Sequence, residues 1–456
     1  MSRTVRGAPR FRFPHPLVLL VLCVLAAAIL TWVLAPGEYE RRADPAAQRE
    51  VVVAGTYHAV SAAPVGPFQA LVAVPKGMSD AASIIFYVFL VGGAFAVVER
   101  TGALGRLVNG LTRRLAGRGM WVIPVVGFVF AWGGILIQMQ EELIAFVPVL
   151  LLLVRRLGFN ALTAVAMSLG VAAVGAAFSP INPFQVGIAQ KVAGVELLSG
   201  LGFRSAFLAV AWVAWTAATM RFARRTRVAP EAAPAGSEPG VAAGWRQVVV
   251  LAIVLATFAA FVIGVTRFGW DFEQLSGLFF LMGLAAGLVG GLGLGGTADG
   301  YVEGFRSMAF AALLIGFARG IYVVLNEGHV VDTIVHGLFT PIAALPTTLS
   351  ALGMMAVQAV IHVPVPSTSG QAVLTMPLLV PLSDLIGLPR QVTVLAYQYG
   401  AGLCELLTPT NGALMAMVAA SGVRFEEWLR FAVPVVGMLA ALGAVAIGVA
   451  VATGLQ

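Results

Sequence analysis

Apolar stretches of about twenty residues, the length that crosses the hydrocarbon core of a bilayer as an α-helix, recur along nearly the whole chain. They fall near 15–35, 81–98, 120–138, 143–157, 161–195, 205–221, 246–266, 274–293, 307–325, 345–363, 372–387, 391–420 and 431–453. No soluble fold buries that much apolar surface. Hydrophobic residues are 59% of the sequence and charged residues only 11%, against roughly 25% charged in ordinary globular chains. The expectation is an all-α polytopic membrane protein, with the lipid bilayer as its first partner. Cys23 and Cys404 both lie in apolar runs, so they suggest neither a disulfide framework nor a thiolate metal site.

The net charge of +7 would hint at nucleic acid in a soluble protein. In a membrane protein the same excess is what cytoplasmic loops carry, and no nucleic-acid partner is expected. With the N-terminus cytoplasmic, the inside segments hold Arg3, Arg6, Arg10 and Arg12, the arginines of 100–118, Arg155 and Arg156, those of 221–246, and Arg306, Arg424 and Arg430. Eight basic residues fall outside: Arg41, Arg42, Arg49, Lys76, Lys191, Arg204, Arg267 and Arg390. The bias points to a multi-pass protein of the bacterial inner membrane, N-terminus in and C-terminus out. Its first apolar run, about 19 residues long, exceeds a signal-peptide core and is read as an uncleaved span. Residues 37–75 read as an external loop, 100–118 as an amphipathic interfacial helix, and 228–243 as a flexible linker.

A self-similarity at an offset of 227 to 230 residues constrains the architecture further. FVPVLLLLVRRLGFNALTAVAMSLG (146–170) aligns with TMPLLVPLSDLIGLPRQVTVLAYQYG (375–400), and Ser179 to Asn182 with Thr408 to Asn411. Upstream, Gly77 pairs with Gly304 and Gly93 with Gly320. The arginine clusters reverse the orientation of the second copy. That predicts two inverted-topology repeats, 77–227 and 304–456, preceded by a span and loop over 1–76 and joined by a linker and connecting spans over 228–303. Such an arrangement is common in secondary transporters.

Two interruptions occupy corresponding places in each copy. The first is Gln138 to Glu142, including Gln140, Glu141 and Glu142, against Ser367 to Gln371, including Thr368 and Ser369. The second is Ser179-Pro180-Ile181-Asn182-Pro183 against Thr408-Pro409-Thr410-Asn411-Gly412, in the middle of apolar runs of about thirty residues. Proline removes a backbone donor and frees carbonyls a turn earlier. Irregular backbone at membrane depth must line a cavity or be buried in protein. Freed carbonyls with the oxygens of Ser179, Asn182, Thr408 and Asn411 suit Na+, and N–H groups of a restarting half-helix suit a carboxylate. The competing reading is that each proline only kinks its helix; duplication in register favours the first.

Glu141 and Glu142 are either paired acids at a site or a loop reaching water. Arg319, within a span, needs a substrate anion or a structural partner, for which Glu405 is a candidate. His362 and His329 read as solvated or interfacial.

With these residues in place the chain resembles the YfcC family, in the C4-dicarboxylate anaerobic carrier group of the ion transporter superfamily. The resemblance rests on RFPHPLVLL, TWVLAPGEYER, GGAFAVVERTGAL, SPINPFQVGIAQ, GFARGI, PSTSGQAVLTMPLLVPLSDLIG and LLTPTNGALMA. It implies two inverted repeats, each with a re-entrant helical hairpin and a transmembrane helix broken at its middle. The hairpins would be 120–157 and 345–387, with tips at Gln138 to Glu142 and Ser367 to Gln371. The chain departs from the family pattern at Ala401, where relatives carry an acid, and at Cys404 and Glu405, where they carry a small polar pair. The resemblance further implies dicarboxylates, or basic amino acids in exchange, as cargo.

The expected function is therefore secondary active transport of a small carboxylate-bearing metabolite, a C4-dicarboxylate or an amino acid, coupled to Na+, to H+ or to exchange, with no other cofactor. A homodimer stays open as the assembly. An ion channel and a membrane-embedded enzyme are the alternatives. The first usually needs a continuous pore through a symmetric oligomer, and the second a motif such as HExxH, which the sequence lacks.

Overall fold

A computed structural model describes residues 15–44, 49–104, 106, 119–231 and 244–455. The arginines of 3–12, most of the expected interfacial helix over 100–118, and the linker beyond Glu231 lie outside the described residues. Helices account for nearly all of the regular structure. In chain order they are α1 Pro16–Val33, α2 Pro67–Asp80, α3 Ala82–Arg100, α4 Val122–Ile137, α5 Val147–Arg156, α6 Ala161–Val165, α7 Val171–Ala177, α8 Ile188–Ala193, α9 Leu201–Arg225, α10 Trp245–Phe268, α11 Phe272–Val289, α12 Gly293–Glu327, α13 Val331–Phe339, α14 Thr347–Ile361, α15 Thr368–Leu385, α16 Arg390–Cys404, α17 Gly412–Ala420 and α18 Phe425–Thr453. Among the described residues seven helices are long and apolar enough to cross a membrane, α1, α3, α9, α11, α12 and α18 with 119–136. The chain is a multi-pass membrane protein.

Two boundaries differ from the sequence reading. Residues 37–75 are not simply a loop. They hold two small antiparallel ladders, β1 Gly37–Glu38 with β4 His58–Ala59 and β2 Arg41–Asp44 with β3 Arg49–Val52, and then α2, which begins at Pro67. Proline is favoured at the first turn of a helix, where its missing N–H has no intrahelical partner. The ladders are fastened to α13, where both Asp332 carboxylate oxygens accept from Arg41 at 3.0 Å and one accepts from the Tyr39 N–H at 2.9 Å.

The span expected at 307–325 is the second half of a single 35-residue helix, α12. Polar residues between 295 and 306 are compatible with a continuous helix because α12 packs its glycines against α2 and α3. A Cβ on Gly77 would lie 2.5 Å from the Gly320 nitrogen, and one on Gly304 would lie 2.5 Å from the Gly93 Cα. Backbones can approach this closely only where side chains are missing. The pairs cross the repeat: Gly77 touches the partner of Gly93, and Gly93 touches the partner of Gly77.

The segments expected to be hairpins do turn back, at tips that are half-buried. The returning arm of the first hairpin is a short 3-10 segment, Glu141–Phe146, followed by the ten-residue α5, which by itself rises about 15 Å. The long apolar runs 161–195 and 391–420 are broken where the prolines fall, between α7 and α8 and between α16 and α17.

Candidate functional site

The first hairpin leaves α4 at Gln138, a non-glycine residue at φ +53° that turns the chain in the left-handed region. That conformation is costly for a side-chain-bearing residue and persists only when its surroundings hold it. The tip then runs into a short 3-10 segment, Glu141–Phe146. In the second hairpin Ser367 caps α15, its hydroxyl accepting from the Gly370 N–H at 3.2 Å. The capping oxygen satisfies one of the unpaired donors of a helix start.

The tips meet. Gln138 Nε2 donates to Thr368 Oγ1 at 2.5 Å and reaches Glu405 Oε1 at 3.4 Å. Gln140 Nε2 donates to Glu405 Oε2, and Gln140 Oε1 accepts from Asn411 Nδ2 at 3.2 Å. Asn411 Nδ2 also reaches the Glu405 carbonyl at 3.2 Å, and the Tyr397 hydroxyl donates to the Thr368 carbonyl at 2.6 Å. Glu405 follows α16 at the break of the second long run and is 5% exposed. Three side-chain amides therefore converge on a buried carboxylate and its own carbonyl, which lowers the cost of keeping it away from water.

These groups line a cavity of about 290 Å³. Nine of the residues expected from sequence border it: Gln138, Gln140, Glu141, Glu142, Ser367, Thr368, Ser369, Glu405 and Asn411. Phe184, Trp270, Asp271, Phe272, Leu275 and Pro366 complete the wall. Four carboxyl residues face the space, and none of the lining residues is Lys, Arg or His. Glu141 and Glu142 both belong to this wall.

The remaining expected residues lie elsewhere. Ser179 Oγ accepts from the Ile181 and Asn182 N–H groups and donates to the Ile135 carbonyl. Asn182 Oδ1 caps Phe184 and Gln185 while its Nδ2 donates to the Gly134 carbonyl. Both side chains fasten the first break to the end of α4, behind the tip. Thr408 and Thr410 bond each other through their hydroxyls at 2.7 Å, buried beside the second break.

Arg319 does not pair with Glu405. It is bonded to Asp80 and lies over the Tyr322 ring at 4.9 Å, with 37% of its side chain exposed. It lines a separate cavity of about 270 Å³ with Arg41, Glu50 and Tyr322, and Pro366 and Ser367 border both spaces. A 35-residue α12 is the reason: Arg319 lies two turns from the helix end, at a depth where water and Asp80 can reach it.

His362 is not solvated. It is fully buried, with Nδ1 2.9 Å from Gln371 Oε1 and Nε2 3.9 Å from Glu405 Oε1. His329 does lie at the surface, half-exposed and paired with Glu38 at 2.5 Å. Asp271 and Trp270 escaped notice because GWDFEQ reads as an inter-span turn; its signal is a helix cap, and Asp271 does cap α11. Arg204, counted among the outside charges, is buried, and it bonds Gln398 Oε1, Gln391 Oε1 and the Ser199 carbonyl.

A family model described as the C4-dicarboxylate anaerobic carrier, DcuC, matches residues 13–452. A protein of Escherichia coli K12, provisionally described as the basic amino acid antiporter YfcC, is 32% identical over 98% of this chain and 98% of its own length. A Haemophilus influenzae protein without an assigned function is 26% identical over 95% of this chain and 96% of its own. Among solved structures, the YdaH transporter of Alcanivorax borkumensis aligns with a TM-score of 0.43, covering 97% of this chain and 99% of that one. MtrF of Neisseria gonorrhoeae, described with a class of antimetabolite efflux pumps, aligns at 0.40 over 95% and 94%. Each of these two is 15% identical.

Proposed function

Because the chain belongs to the C4-dicarboxylate anaerobic carrier family, a family of transporters, we propose that it is a secondary active transporter whose cargo carries a positive charge: a basic amino acid. The observation that carries this reading is the cavity wall, with four carboxyl residues and no cationic side chain. A C4-dicarboxylate brought there would meet like charge on most sides, which costs several kcal/mol in a space shielded from water. An ammonium or guanidinium group would instead find Glu405, Glu142 and the unpartnered Gln138 Oε1, which has no hydrogen-bond partner among the described residues. The α-carboxylate of such a substrate is left to N–H groups at the hairpin tips. The provisional description of the Escherichia coli relative agrees with this chemistry.

Coupling follows from competition. A proton or Na+ held at Glu405, with Asn411 alongside, and a substrate cation at the same carboxylate exclude one another, so each promotes release of the other, as exchange requires. Of the four Na+ ligands expected at the breaks, Asn411 is the one that reaches the cavity; Ser179, Asn182 and Thr408 serve as positioning groups.

The test is uptake by proteoliposomes of labelled arginine, lysine, succinate and fumarate, with and without imposed Na+ and pH gradients. The expected result is gradient-dependent uptake of the basic amino acids with no competition from the dicarboxylates. Dicarboxylate uptake that arginine and lysine leave untouched would refute the assignment.

We read the two halves as inverted repeats of an inner-membrane protein with a cytoplasmic N-terminus. The crossed glycine contacts of α12 support it, since a pseudo-twofold axis makes residue and partner exchange roles. Reporter fusions after Arg227 should read cytoplasmic and those after Glu273 periplasmic; equal readings at both would exclude it.

A further inference from the structure

A further cavity lies apart from the carboxylate site, where the end of α9 meets the start of α18. Its volume is about 790 Å³. Phe222, Phe431 and Pro434 give it an apolar wall, and Arg221, Arg225 and Arg430 border its mouth. The charges do not cancel evenly. Arg430 is bonded to Glu426, and the other acid on this rim, Glu427, is bonded to Arg424 at 2.6 Å. Arg221 and Arg225 are exposed and form no ion pair among the described residues.

The depth of the groove follows from helix length. At 25 residues α9 rises about 37 Å, more than the hydrocarbon core of about 30 Å, so its last turn emerges among the headgroups. Arg225 occupies that turn and Arg221 lies one turn before it, while Pro434 lies in the third turn of α18, back toward the membrane interior. An occupant must be anionic at one end and apolar along its length.

We propose that this groove binds an anionic phospholipid, its phosphate between Arg221 and Arg225 and an acyl chain along Phe222, Phe431 and Pro434. Arginine suits the phosphate because its planar fork donates two parallel hydrogen bonds. Basic pockets between transmembrane helices are the expected form of such sites. The proposal rests on the membrane-spanning character of α9 and α18 and is independent of the cargo.

The experiment is thermal unfolding of the purified full chain in detergent with added phosphatidylglycerol, phosphatidylcholine or glycerol 3-phosphate. Phosphatidylglycerol is expected to raise the melting temperature by about 3 °C or more, as a ligand that binds only the folded state does. Phosphatidylcholine and glycerol 3-phosphate are expected to give no such rise. The double variant Arg221→Gln, Arg225→Gln changes two exposed side chains, so it should melt as the parent does without lipid and lose the response to phosphatidylglycerol. An equal response to phosphatidylcholine, a response to glycerol 3-phosphate alone, or a lipid response retained in the double variant would each overturn the proposal.

Discussion

Glu405→Gln is expected to abolish most of the transport while leaving the protein folded. The amide is nearly the same shape, and its oxygen still accepts from Gln140, so packing around the second break is preserved. Its nitrogen then faces Gln138 Nε2, donor against donor, at a contact that is 3.4 Å in the parent, a small cost. What is lost is the charge. A hydrogen bond between a cation and a carboxylate contributes about 1.5–3 kcal/mol more than none, and about 1.4 kcal/mol is tenfold in affinity, so apparent substrate affinity should fall roughly 10- to 100-fold. Dependence on the driving ion should disappear with it, because substrate and ion are proposed to share this group. Glu405→Asp should be intermediate, since the shorter side chain keeps the charge but cannot satisfy Gln138 and Gln140 together. Parent-like uptake and ion dependence in the Gln variant would remove Glu405 from the mechanism.

The largest loss of stability is expected at Arg204. Its guanidinium is fully buried and is held by three neutral oxygens, Gln398 Oε1 at 3.0 Å, Gln391 Oε1 at 2.8 Å and the Ser199 carbonyl at 2.8 Å. Removing it leaves buried acceptors without their donors, each costing about 1–3 kcal/mol. Arg204→Ala should therefore lose about 3–5 kcal/mol, near the cost of breaking a buried charge network. Arg204→Lys should not recover it, because an ammonium is a point charge and cannot span three fixed directions. The damage should reach the first break, since Gln398 Nε2 donates to the Ser179 carbonyl at 2.7 Å. Thermal unfolding in detergent measures it; melting of the alanine variant within a degree of the parent would show that the network is dispensable.

The contrast between these two residues marks how far the sequence could be read. Glu405 stood out because an acid in the apolar run GAGLCELLTPTN needs a partner or a ligand, and the run breaks three residues later at Thr408-Pro409. Arg204 did not stand out, since one arginine near the start of an apolar run looks like any flanking charge. Its burial is decided by Gln391 and Gln398, which lie about 190 residues away. Arg319 does have the structural partner that a charge in a span needs, but the partner is not Glu405. It appeared to be a lone charge in a span, and its partner Asp80 is 239 residues distant.

Hydropathy and proline were enough to determine the membrane-spanning helical class and where its runs are interrupted; that the first pair of interruptions are hairpin tips was implied by the family resemblance, and nine of the residues singled out border the cavity. Hydropathy and proline act locally: a helix needs its own length of apolar residues to cross lipid, and a proline breaks the helix it belongs to. What only the tertiary structure decided is which of those interruptions face each other. Gln138, Thr368, Glu405 and Asn411 come from four separate segments that meet only where the two tips and the second break pack together. The sign of the cavity was likewise hidden until Asp271 joined Glu141, Glu142 and Glu405 on one wall, because charge complementarity belongs to an enclosed volume and no single stretch of chain carries it.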